Sequence, residues 1–383
     1  MKILFVCQQY IHAARWINQL KDTAHQIYVF DCLDRPIHQD LLWTNYTTNW
    51  SKRKIPYLKG EHFLQKKTPK LYEKIAPFLK VTPSDRLVAL IKEIQPDLVH
   101  SLEMQSQTYH VLKAKQQFNF KWAYFCWGND LYMFKDNDKH KKKINEVLKN
   151  IDFLFTDTHR DIILAKNNGF NKEQVNVFPG GGGYEIIKYK KFILPLFIRK
   201  TIIIKGYEHN YGRAITVLNA IDKIADTIKK FDIYVYSAHQ IVVDKIKEIN
   251  KKHHLNIQYS TRDQEISHKE LLAKFGSAKI AIGNSISDGI PNTLLEAIIL
   301  GAFPIQSNPG GATEDYIVDG GNGFLIENPE DASEIADKIS KALKNDELLE
   351  KVFIINQEKA KKLDYKVIQK LVIEVYHNIE KSL

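Results

Sequence analysis

Short apolar runs alternate with amphipathic stretches along most of the chain. The runs "KILFVC" (2–7), "HQIYVFD" (25–31), "DLVHSL" (97–102), "KWAYFCW" (121–127) and "IDFLFTDT" (151–158) read as buried strands. Apolar residues at helical spacing from about His12 to Leu20 and from Leu87 to Ile94 fall between them. A second series follows: "KTIIIKGY" (200–207), "FDIYVYSA" (231–238), "NIQYS" (256–260), "AKIAIGNS" (278–285) and "AFPIQSN" (302–308). Strand–helix alternation of this kind predicts parallel βαβ units. The expected fold class is α/β, with two Rossmann-like parallel-sheet domains facing a central cleft.

Between the two series, Pro179 and the run Gly180–Gly183 interrupt regular structure. This places the domain junction in residues 185–200. Residues 1–190 and 191–365 are then the two domains. Residues 366–383 form a C-terminal helix that could pack back on the first domain. At 383 residues the chain has room for two ordinary domains.

Composition adds a few boundaries. Three widely spaced cysteines, Cys7, Cys32 and Cys126, have no metal-ligand spacing and suit a reducing cytoplasm. No apolar stretch of about 20 residues is present, so a membrane-spanning helix is not expected. The formal charge is +10. Residues 51–80 hold nine Lys/Arg against Glu61 and Glu73, with Phe63, Leu64, Tyr72, Phe78 and Leu79 interleaved. That mixture suits either an anionic bilayer surface or a solvated basic loop and helix.

The stretch "SISDGIPNTLLEAIILGAFPIQSN" (285–308) carries the clearest chemistry. A strand ends at Gly283 and Asn284. A Gly-Pro turn follows, and then a helix ended by Gly301. The helix start, Pro291 to Leu294, offers backbone N–H groups and a dipole that favour an anion such as phosphate. Asp288 before the turn and Glu296 within the helix can accept charge-assisted hydrogen bonds from diols. In a sugar nucleotide, Asp288 would reach the sugar and Glu296 the ribose. Taken singly, they read as a turn cap and a solvated helix residue. Gly310 and Gly311, before Glu314 and Asp315, repeat the strand–glycine–helix logic.

Asp288, seven residues, Glu296, then "GGATE" and "DGGNGFLIENPED" (319–331) resemble the C-terminal signature of family 4 glycosyltransferases of the GT-B fold. The family's usual first acid is Glu, so Asp288 is one methylene shorter. The resemblance covers about residues 200–345 well and the N-terminal half more loosely. It implies a retaining, metal-independent transfer from a nucleoside-diphosphate sugar, with no cofactor. The donor would lie on the C-terminal domain and a glycan or lipid-linked acceptor on the N-terminal one.

The resemblance assigns Asp288 to the donor sugar, Glu296 to the ribose, and the amides of Asn292, Thr293 and Leu294 to the diphosphate. Gly289, Ile290 and Pro291 complete that turn. Where the family usually has Gly-Arg, this chain has Gly206 followed by Tyr207. The leaving-group cations are therefore expected from Arg213 first and Lys205 second, the latter otherwise a strand-end contact. The nucleobase is expected on the loop of Tyr259, Ser260, Thr261 and Arg262, mainly through backbone atoms.

On the N-terminal side, His12 and Arg15 open the first helix in a form similar to an H-x-x-R-W variant and are candidates to touch a phosphate or the acceptor, with Trp16 read as core. "CWGNDLYMF" resembles the family's His-Gly-x-Asp segment. Trp127 stands where a His is common, and Gly128 and Asp130 fit. Trp127 either stacks on a sugar or packs in the core. Asp130 either meets the acceptor hydroxyl or caps a helix. Glu103 is a further acceptor-side candidate.

The implied function is sugar transfer in cell-surface polysaccharide or glycoconjugate synthesis, in the cytoplasm or at the inner face of its membrane. A non-hydrolysing sugar-nucleotide epimerase is the main rival. A basic membrane or nucleic-acid scaffold is a weaker one, because no nucleic-acid-binding motif is evident. A dinucleotide oxidoreductase is excluded by "VCQQYIHAAR", which lacks any glycine after the first strand.

Overall fold

A computed structural model describes residues 1–383, apart from the side chains of Lys70 and Glu73, two of the charges counted in the basic segment. The chain forms two compact units. The first comprises Met1–Asp157, Asp161–Gly182 and Gln369–Leu383, and the second Thr158–Arg160 and Gly183–Ile368.

The first unit holds a parallel seven-stranded sheet. Its strands are β1 (Lys2–Val6), β2 (Gln26–Phe30), β3 (Asn45–Thr47), β4 (Leu98–Leu102), β5 (Lys121–Cys126), β6 (Phe153–Thr156) and β7 (Val175–Val177). Their order is β3-β2-β1-β4-β5-β6-β7. Strands β1, β2, β4, β5 and β6 read as mainly apolar runs because helices cover both faces of such a sheet. All five residues of β4 are buried. The core gathers Leu4, Val6, Phe30, Val99, Trp122, Tyr124 and Leu154 with helix residues such as Leu87, Ile91 and Val147.

The second unit holds a parallel six-stranded sheet of β8 (Thr201–Lys205), β9 (Asp232–Ala238), β10 (Gln258–Thr261), β11 (Ala278–Gly283), β12 (Phe303–Ser307) and β13 (Phe324–Ile326), in the order β10-β9-β8-β11-β12-β13. Its two faces are covered by separate apolar clusters, one around Ile202, Ile204, Val235 and Ile280, the other around Ile203, Tyr236, Phe275 and Leu295. Helix boundaries follow local chemistry. Ser267 and Glu270 form a capping box for helix His268–Ser277. Asp331 caps helix Ala332–Leu343. Gly301 ends helix Asn292–Leu300 at φ +72°, a conformation that favours glycine.

The C-terminal helix, Tyr365–Lys381, closes the chain, and its later part belongs to the first unit. Tyr376 is fully buried there. Its hydroxyl accepts from Trp16 Nε1 at 3.1 Å and lies 2.6 Å from His100 Nδ1. Burial lowers the His100 pKa to about 3, so this imidazole stays neutral as a core residue.

In each sheet the strand order reverses beside the first strand, between β1 and β4 and between β8 and β11. Ligands of open parallel sheets bind outside the carboxyl ends of the strands at such a switch point. The residues at those ends are therefore the candidate ligand contacts.

Candidate active site

In the second unit, β8 delivers Lys205 and β11 leads through Asn284 and Ser285 to Asp288. Gly206 is required by close approach. A Cβ there would lie 2.7 Å from Ala238 Cα and 2.8 Å from the Tyr236 carbonyl oxygen. The turn Gly289–Pro291 is buried and leads into helix Asn292–Leu300, whose start has no side-chain cap. Without a capping side chain, an anion can take the cap's place. The Leu294 amide is not part of this set as expected. It donates to the Pro291 carbonyl at 3.0 Å, and the Leu294 side chain packs with Ile298, Ile317 and Leu325.

The two acids have different surroundings. Asp288 is part-exposed, with Lys205 Nζ 3.6 Å from its Oδ2, beyond hydrogen-bond distance. Neither side chain has a hydrogen bond to any described residue. Glu296 is buried rather than solvated, and its Oε1 lies 2.7 Å from His268 Nε2. The second oxygen, Oε2, has no partner among the described residues.

Arg213, ranked first among the leaving-group cations, is committed elsewhere. Its Nε is paired with Glu330, and Nη1 donates to the carbonyls of His209 (3.1 Å) and Gly212 (2.8 Å). These contacts close the loop between Gly206 and helix Ala214–Lys223. The position sequence reasoning undervalued is Arg262, whose guanidinium lies 4.8 Å from the Tyr207 ring centroid, with Lys205 at 4.7 Å. The only signal was its place in the loop expected to meet the base.

Two histidines join this group. His209 Nδ1 accepts from the amides of Tyr211 (3.0 Å) and Gly212 (3.4 Å), and His239 Nδ1 accepts from the Glu208 amide at 3.0 Å. Each ring, when neutral, therefore carries its proton on Nε2. Burial, then the neighbouring His239, lowers the His209 pKa. Ser260 is buried and its Oγ accepts from the Ser237 amide at 3.4 Å; Thr261 Oγ1 accepts from the Gln264 amide at 3.1 Å. A cavity of about 470 Å³ opens there, lined by Ala238, His239, Gln240, Thr261, Arg262, Asp263 and Gln264.

In the first unit, Tyr10, His12 and Trp127 form a cluster at the ends of β1 and β5. Ring centroids are 5.5 Å apart for Tyr10–His12 and Tyr10–Trp127, and 6.5 Å for His12–Trp127. Tyr10 was not singled out from the sequence. Trp127 Nε1 is buried with no hydrogen-bond partner among the described residues. Burial, then the Arg15 charge, lowers the His12 pKa. Arg15 is half-buried and has no carboxylate partner among the described residues.

The two candidate acids of this unit, Asp130 and Glu103, are structurally engaged. Asp130 is buried and accepts from Trp127 N (3.0 Å), Met104 N (3.0 Å), Tyr124 Oη (2.6 Å) and Cys126 Sγ (3.4 Å). This is not the expected helix cap: helix Asn129–Tyr132 begins at Gly128 with no side-chain cap, and the carboxylate instead ties the turn after β5 to the turn after β4. Burial, then the Glu103 charge, raises its pKa to about 7. Gly128, beside it, has φ +82°. Glu103 accepts from Gln105 N (3.0 Å), Ser106 N (2.7 Å) and Ser106 Oγ (2.5 Å), which fixes the turn after β4.

Residues 238–360 match the family described as Glycosyl transferases group 1, and residues 2–158 match Glycosyl transferase 4-like. No curated protein sequence matches the chain. Among solved structures, a glycosyltransferase from Rickettsia africae superposes with TM-score 0.72 at 17% identity, covering 100% of this chain and 99% of that one. Sucrose-phosphate synthase from Thermosynechococcus elongatus gives TM-score 0.71 at 14% identity, with 100% of both chains covered. Anabaena HepE in complex with UDP-glucose gives 0.70 at 13%, covering 99% of this chain and 100% of that one. With two parallel α/β sheets of this order, the fold is GT-B, and the two family matches make the chain a glycosyltransferase.

Proposed function

We propose that this glycosyltransferase moves a sugar from a nucleoside-diphosphate sugar to a glycan or lipid-linked acceptor, with retention of configuration and without a metal ion. The donor binds the second unit and the acceptor the first. The observation that carries the reading is the pair Lys205 and Asp288. Both stand at the switch point of the second sheet beside a helix start with no side-chain cap, and neither side chain has a hydrogen bond to a described residue. The HepE structure of the same fold, which contains UDP-glucose, supports a nucleotide-sugar donor.

In this reading the amides of Asn292 and Thr293 receive the diphosphate. Lys205 and Arg262 oppose its charge as it leaves, with the His209 and His239 Nε2–H groups nearby as donors. Preorganised charge of this kind typically contributes about 3–4 kcal/mol per donor in the transition state. Asp288 accepts from hydroxyls of the transferred sugar. Glu296, oriented by His268, offers Oε2 to the ribose. The base occupies the cavity beside Thr261 and Arg262. No protein nucleophile is assigned. The leaving phosphate oxygen takes the acceptor's proton on the same face, and the protein supplies orientation. On the acceptor side, Trp127, His12 and Tyr10 provide an aromatic wall, and Asp130 positions it through the Trp127 amide.

The test is a thermal-shift panel of nucleoside diphosphates and their sugars, followed by product analysis with the stabilising donor. A bound donor raises the melting temperature with concentration. An anomerically retained glycoside is expected. Donor consumption without acceptor, giving an epimerised sugar nucleotide, would replace transfer with epimerisation.

A further inference from the structure

We propose that residues 57–79 form a docking surface for an anionic lipid bilayer, with Phe63, Leu71 and Phe78 as its apolar anchors. Two helices, Glu61–Lys67 and Pro69–Leu79, make a hairpin with a small core of its own, in which Tyr72, Ala76 and Leu79 pack with Leu64 and Ile75. Glu61 is buried in it, paired with Arg53 at 2.7 Å and accepting from Tyr72 Oη at 3.0 Å. The hydrogen bond from Arg53 holds the Glu61 pKa down to about 2, so this charge is neutralised locally by Arg53.

The inner face is therefore occupied, and the outer face is what needs an explanation. Phe63 is 64% exposed, Leu71 51% and Phe78 76%. On the second helix Leu71, Lys74 and Phe78 fall at i, i+3 and i+7, one stripe opposite the buried Tyr72, Ala76 and Leu79. On the first, Phe63, Lys66 and Lys67 fall at i, i+3 and i+4. Exposed Tyr57, Leu58 and Lys59 continue the pattern in the preceding loop, where the Arg53 guanidinium lies 3.8 Å from the Tyr57 ring centroid.

Large apolar side chains flanked by lysines match an anionic lipid interface, where the apolar groups enter the acyl boundary and the ammonium groups meet phosphate. A merely solvated basic face would keep the lysines without the phenylalanines. Among the described residues no helix is long and apolar enough to cross a membrane, so the contact is peripheral. Such a surface would bring a lipid-linked acceptor to the enzyme, but the inference stands on the hairpin and not on the transfer reading.

The full chain is tested for co-sedimentation with phosphatidylcholine vesicles containing 30% phosphatidylglycerol, against phosphatidylcholine alone. Two variants follow, F63S/L71S/F78S and K66Q/K67Q/K74Q, with melting temperature and nucleotide-sugar binding measured on each. The wild type is expected to bind only the anionic vesicles. The lysine variant should lose about 100-fold in partitioning, at about fivefold per charge. The apolar variant should lose at least about tenfold. Both should melt normally and bind donor normally, which separates this result from the donor-site reading. No vesicle binding by the wild type, binding that survives the apolar substitutions within twofold, or binding to soluble polyanions such as RNA alone would overturn the proposal.

Discussion

Replacing Lys205 with alanine removes the cation that faces Asp288 at the end of β8. Its Nζ is 3.6 Å from Asp288 Oδ2 and makes no hydrogen bond, so little native structure depends on it. A part-exposed pair of this kind contributes about 0–1 kcal/mol to stability. For units of this size that is a fall in melting temperature of about 2–4 °C at most. Catalysis is different. A unit charge 4 Å from a leaving oxygen interacts with it by about 4 kcal/mol at an effective dielectric constant of 20. Loss of a preorganised donor costs about 10²–10³ in kcat. Lys205→Ala is therefore expected to lower kcat by two to three orders of magnitude with a nearly unchanged melting temperature. Lys205→Arg should restore part of the rate. The assay is release of nucleoside diphosphate in the presence of acceptor, over a range of donor concentrations. A kcat within threefold of wild type would refute the assignment of Lys205 to the leaving group. Arg213→Ala provides the contrast. Because its guanidinium closes a loop with Glu330, its loss should lower melting temperature and donor affinity together.

Three further outcomes are expected. Glu296→Gln should weaken donor binding by about 10–100-fold, the value of one or two charge-assisted hydrogen bonds, and titration calorimetry with the nucleoside diphosphate measures it. Asp130 has a folded pKa raised to about 7 from an ordinary 3.8, so the native state holds the proton more tightly than the unfolded chain. Stability from this group is full below pH 4, falls as pH rises from about 4 to 7, and is level above that; denaturant melts should show this slope in the wild type and lose it in Asp130→Asn. Gly206→Ala would place a methyl 2.7 Å from Ala238 Cα, so it should cost about 1–3 kcal/mol and misplace Lys205, read as a lower melting temperature and lower kcat.

Much of the sheet architecture was legible because parallel strands buried on both faces are written as uninterrupted apolar runs. The runs that became β1, β2, β4, β5, β6, β8, β9, β11 and β12 are of this kind, whereas β10 is a polar, mostly exposed edge strand. Strands β3, β7 and β13 were not legible. Each has three residues and lies at a sheet edge, too short for a period to register. The helix start at Asn292 was legible from the Gly-Pro turn before it. Side-chain commitments were not. Arg213 and Lys205 are equally cationic in the sequence, and what distinguishes them is Glu330, more than a hundred residues away from Arg213. His268 meets Glu296 through the packing of two helices, which no local motif records. Asp130 fitted a motif, yet only the fold shows its carboxylate filled by four donors.

The most direct measurement is a structure of the chain with a bound nucleoside diphosphate. The account predicts the diphosphate against the amides of Asn292 and Thr293, with Lys205 Nζ on its oxygens and Glu296 Oε2 on the ribose. A diphosphate bound away from that helix start, with Lys205 and Asp288 untouched, would contradict it.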